Sequence, residues 1–187
     1  MKSALLSFLG IGALLLGLGG IWIWLLATSD PLNQPIATAA PWPIACTTRG
    51  CITTMDWDRH VKLRQSFAAT VNEEVPEANK VLTTILRQHI AHYAQLRSPV
   101  TLADAQRYRQ DILNLKSEDD VKRLTGLTVS DYDHYVVLPF LEQESLRQFR
   151  QAETTDDLYQ KLAKERKVFL LLWQYKWDTG KGMVVKK

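Results

Sequence analysis

Hydrophobic positions follow three regimes along the chain. From Ala4 to Ala27 the residues are apolar apart from Ser7, and none is charged. Between Trp57 and Leu162 apolar residues recur every three or four positions. After Lys167 they run together again and are broken by glycines. Drawn as a helix, the first regime is about 36 Å long, enough to cross a hydrocarbon core of about 30 Å. It predicts a transmembrane helix over 4–27 after a cytoplasmic stub at 1–3, with Trp22 and Trp24 at interfacial depth. The lipid bilayer is then a partner through residues 4–27. Lys2 precedes the segment and the next base is Arg49, so the positive-inside rule places the N-terminus in the cytoplasm. The expected location is a bacterial plasma membrane, with the C-terminal portion extracytoplasmic. The alternative is a signal peptide cleaved near Ala37-Thr38-Ala39, which also exports the rest.

In the second regime Val81, Leu82, Ile85, Leu86, His89, Ile90 and Tyr93 form one apolar stripe, bounded by Pro76 and Pro99. Earlier, Ile52 to Met55 is a short β-prone run, and Asp56 is the expected N-cap of a helix carrying Trp57, Val61 and Phe67. Four later helix starts share one signature, a hydroxyl residue with an aspartate three positions on. These are Thr101 with Asp104, Ser117 with Asp120, Thr128 with Asp131, and Thr154 with Asp157. Gly126 separates two of these helices, and Pro139 predicts a kink in the next.

The third regime reads VFLLLWQYKW from Val168 to Trp177, then Asp178-Thr179-Gly180-Lys181-Gly182, then Met183-Val184-Val185. Branched and aromatic residues around a glycine turn predict a strand after Lys167 and a hairpin. The alternative is a buried helix over 156–173 with a loose tail. The fold class expected is therefore mainly α: one N-terminal transmembrane helix and a multi-helix domain. That domain has a short N-terminal strand and a candidate C-terminal β-hairpin.

Composition changes this picture in two places. Pro31, Pro35, Pro41 and Pro43 make 28–45 an extended spacer between the membrane and a helical domain over 46–152, which a C-terminal helix and hairpin follow over 153–187. The net charge is only +3, with acids and bases interspersed, so no basic arm for nucleic acid is present. Cys46 and Cys51 are the only cysteines; in an exported segment they are a candidate disulfide, with free thiols or a redox or metal role as the alternatives.

Catalytic chemistry leaves little trace, and no catalytic residue, metal site or cofactor is assigned. His89 and His92 are three apart on one helix, but no Glu-x-x-His pattern completes a metal site. Asp131, Asp133 and His134 read as capping and solvation, since no nucleophile is implied beside them. The supply of large rings is more informative. Tyr93, Tyr108, Tyr132, Tyr135, Phe140, Trp173 and Trp177 are candidates to line a groove for extended apolar polypeptide, with core filling as the plain alternative.

The order of these elements resembles a known family. GCITTMDWDRHVK, VLTTILRQHIAHYAQLRSPVTLADAQRYRQDI and LTGLTVSDYDHYVVLPFLEQESLRQF are similar to successive units of the N-terminal chaperone domain of SurA-type periplasmic foldases, relatives of the membrane-anchored parvulin foldases. The likeness covers about Gly50 to Phe149. It implies ATP-independent binding of unfolded or extended polypeptides. The tail after Phe149 is too short for a parvulin isomerase domain, so isomerase activity is not implied. The expectation is a membrane-anchored, chaperone-like binding protein; the alternative is a non-catalytic scaffold subunit with a fixed envelope partner.

Overall fold

A computed structural model of the chain describes residue 41 and residues 43–94, 99–172 and 174–187. The transmembrane reading of 4–27 falls outside these residues; among those described, no helix is long and apolar enough to cross a membrane.

The expectation of a mainly helical fold with one short strand and a terminal hairpin is corrected by the sheets. Strands β1 (Pro43–Thr47) and β2 (Gly50–Thr53) form a hairpin, and β3 (Val168–Leu170) joins the other edge of β1. All pairings in this sheet are antiparallel, in the order β2-β1-β3. A second antiparallel sheet is the hairpin of β4 (Tyr175–Asp178) and β5 (Met183–Lys186). The continuous run from Val168 is thus divided between two sheets. β1 begins inside the stretch read as a spacer: Ile44 and Ala45 are buried in the core. Pro43 is tolerated because it opens the strand, where the register with β2 shifts. Cys46 stands opposite Cys51 in the hairpin, and a disulfide joins them.

Six helices make up the remainder of the described residues. α1 (Thr54–Val71) follows β2 directly. Its N-cap is Thr53 rather than Asp56: Thr53 is still extended, and Asp56, in the first turn, accepts from its amide and hydroxyl at 2.8 Å. All four later hydroxyl–aspartate pairs cap as well, the side chains of Thr101, Ser117, Thr128 and Thr154 each accepting from the aspartate amide three residues on. α2 (Ala78–Tyr93) is central and buries the predicted stripe from Val81 to Ile90, although His89 is half-buried and Tyr93 exposed. α3 (Leu102–Arg107) runs into a π-helical turn, Tyr108–Ile112, and α4 (Glu118–Thr125) ends at Gly126 in the left-handed region.

α5 has three parts: Val129–Tyr132, a π-helical turn Asp133–Val137, and Leu138–Phe149. The π-turn stands where the sequence predicts a kink. Pro139 has no N–H for the carbonyl four residues before it, and the preceding turn widens so that the Leu138 amide donates to Asp133, five residues back. α6 (Thr155–Glu165) closes the helical part.

Two apolar clusters flank α2. One joins β1, β2 and α1 to the tail through Ile44, Trp57, Leu82, Leu86, Leu172 and Val184. The other joins α2 to the end of α5 and to α6 through Ile90, Leu146, Leu158 and Leu162. The C-terminal hairpin is tied to α2 by polar contacts too: Val184 donates its amide to Thr83 Oγ1 at 2.9 Å, and Arg87 Nε donates to the Gly182 carbonyl at 2.9 Å. The tail is therefore part of the same core.

Candidate binding groove

A groove of about 330 Å³ lies between α1 and α5, with α2 and α6 below it. From α1 come His60, Leu63, Arg64 and Phe67, at three- and four-residue spacing on one face. From α5 come Tyr132, Tyr135, Val136 and Phe140, a face made by the π-turn and the residues on either side of it. Phe67 is 37% exposed and Phe140 44%, large values for rings in a packed domain.

The aromatic wall is held by specific contacts. His60 meets the Tyr135 ring edge-on, with centroids 5.6 Å apart, while Arg59 lies 5.5 Å above that ring and donates to its hydroxyl. Phe140 rests against Tyr108 at 5.8 Å. Below, Arg87 stacks on the buried Tyr159 ring at 4.8 Å and is neutralised by Asp156 at 2.9 Å.

Burial dominates the electrostatics here. Desolvation, helped by the Arg64 charge, pushes His60 down to about 4, so it is a neutral imidazole at physiological pH. Burial, with the Asp133 charge beside it, raises the Tyr132 phenol, and burial raises Tyr159 likewise.

A second cleft of about 380 Å³ adjoins the groove and shares His60, Gln88 and Pro139 with it. All four histidines of the chain line it, with Tyr93 and Glu142. His92 Nδ1 lies 3.0 Å from Glu142 Oε1, and Tyr93 sits edge-on to both His89 and His92. Among the described residues no group of three or more histidines, cysteines or acids is placed to hold a metal ion.

Of the predicted aromatics, Tyr132, Tyr135 and Phe140 share the groove, and Tyr108 supports it through Phe140. Tyr93 stands apart in the histidine cleft. Trp177 packs against both apolar clusters, so it belongs to the core. Trp173 lies outside the described residues. Asp131 donates its amide to the Thr128 cap of α5 and accepts from the Thr128 hydroxyl, but Asp133 is not solvated: it is buried against Arg109. Sequence reasoning missed His60, Leu63 and Arg64. The signal was masked, because these residues and Phe67 form a stripe beside the buried Trp57–Val61–Ala68 face of the same helix.

The chain matches no protein-family model, no curated protein and no solved structure.

Proposed function

We propose that the chain is a non-catalytic polypeptide-binding module, chaperone-like and independent of ATP, acting on the far side of a membrane to which its apolar N-terminal stretch delivers it. The observation that carries this reading is the groove, where exposed Phe67 and Phe140 and half-buried Tyr132 and Tyr135 form an apolar trough between two helices. Rigid rings give large contact area at low entropic cost, which suits weak binding of varied extended segments. The Cys46–Cys51 disulfide supports the location, because such bonds persist in oxidising compartments. The resemblance of Gly50 to Phe149 to the SurA-type chaperone domain points the same way.

Light scattering from a chemically unfolded client, with the full chain in lipid nanodiscs, tests the proposal. Aggregation falls as the chain is added, and Phe140→Asp removes the effect while leaving the melting temperature unchanged. Undiminished aggregation at stoichiometric excess, with no peptide binding, contradicts it.

A further inference from the structure

The groove carries a charge that nothing in it neutralises. Its lining includes two arginines and no carboxylate. Arg87 is committed to Asp156, to the Gly182 carbonyl and to the Tyr159 ring. Arg64 is half-buried, and its side chain takes part in none of the ion pairs or hydrogen bonds among the described residues, so its guanidinium keeps its five donors for a partner outside the fold. The neighbouring imidazole of His60 adds no negative charge to balance it. A partly desolvated, uncompensated guanidinium beside an aromatic wall is complementary to a carboxylate next to a large apolar group.

The groove has neighbours on two sides. It shares His60, Gln88 and Pro139 with the histidine cleft, and Leu63 and Leu127 with a polar depression beside Asp58 and Lys62. An occupant longer than the groove would meet one or the other.

We propose that the groove selects extended polypeptide segments in which an acidic side chain neighbours a large apolar one, the ring or branched chain lying on Phe140 and Tyr135 and the carboxylate bound by Arg64. This rests on the reading of the groove as a polypeptide-binding site and adds to it a sequence preference. The preference weakens with salt, as expected for a charge pair near the surface.

The test uses three ten-residue peptides, acetylated and amidated, that differ only in Glu, Gln or Lys beside a central Phe. Calorimetry follows their binding to the full chain in nanodiscs of neutral lipid. The Glu peptide binds about tenfold tighter than the Gln peptide, the scale of one charge-assisted hydrogen-bond pair. Arg64→Gln removes that difference without shifting the melting temperature, and Arg64→Glu reverses it in favour of the Lys peptide. Equal affinities for all three peptides overturn the role of Arg64 and leave the polypeptide-binding reading standing. Tighter binding of an uncapped peptide with Gln and a free terminal carboxylate makes the occupant a chain end and overturns the proposal. Binding of decanoate without any peptide overturns both readings, as does no binding at all.

Discussion

Arg109 donates through Nε to Asp133 Oδ1 at 2.7 Å, and this bond joins the π-helical turn after α3 to the π-helical turn of α5. Both side chains are buried, and Arg109 also donates to the Leu115 carbonyl, fixing the segment that follows its turn. The pair thus holds the widened turn of α5 that presents Tyr132, Tyr135 and Val136 to the groove. Removing one partner leaves the other charge buried and alone, so Asp133→Ala should cost about 3–5 kcal/mol by urea denaturation. The double replacement Arg109→Met with Asp133→Leu should recover most of that loss.

The disulfide closes a short loop at the central hairpin, since Cys46 and Cys51 are five residues apart. Loop-closure entropy for so small a ring gives about 2 kcal/mol. Replacing both cysteines by serine, or adding a reductant, should lower the unfolding free energy by about that amount and the melting temperature with it. The aligned hairpin remains, so far-UV circular dichroism should not change.

Gly126 ends α4 at φ +72°, and a Cβ there would meet Thr70 Oγ1 and stand 2.9 Å from the Ser66 carbonyl oxygen of α1. Left-handed backbone alone costs an L-residue roughly 1–2 kcal/mol. Contact with backbone adds to it, so Gly126→Ala should destabilise the domain by more than about 2 kcal/mol in thermal or denaturant unfolding.

Two pH windows should be separable. The folded state holds His60 down at about 4, below its unfolded value of 6.5, so the unfolded chain binds the extra proton between those values. Stability from this group is complete above pH 6.5 and falls as pH drops towards 4. The groups facing it include Arg64, Arg59 and Asp56. Asp104, Asp120 and Asp157 are held below the ordinary carboxylate range, the first two mainly by hydrogen bonds from Thr101 and Ser117 and the third mainly by Lys161. Their stabilisation is present above the unfolded aspartate value and is lost below it. His89 is also held below its ordinary value by burial, so in urea titrations from pH 7.5 to 3 His60→Gln should make the limb between pH 6.5 and 4 shallower and leave the acid limb in place.

What could be read in the chain was local. The hydroxyl–aspartate caps at Thr101, Ser117, Thr128 and Thr154 need partners only three residues away, and all four form. The same logic also explains the displaced N-cap at Thr53, where the pair begins one turn earlier than the apolar pattern suggests. What could not be read was non-local. Thr47 pairs with Val168 in the three-stranded sheet, so a proline-rich stretch becomes its central strand only once the tail arrives. Asp133 is adjacent to capping residues in sequence, yet its partner lies 24 positions back. Half of the groove was legible, because Tyr132, Tyr135 and Phe140 are rings on one predicted helix. The other half was hidden, because the His60–Phe67 face borders the core face of α1 and blends into its stripe. Trp177 shows the converse: a large ring in the same inventory is needed to fill the core.

The most direct test of the groove as a polypeptide site is photo-crosslinking with benzoylphenylalanine at Phe140 or, as a control, at Phe169, which is exposed on β3 away from the groove lining. With an unfolding client present, the account predicts crosslinks from position 140 that native client does not give, and few from position 169. Equal crosslinking from the two positions, or none from position 140, would contradict it.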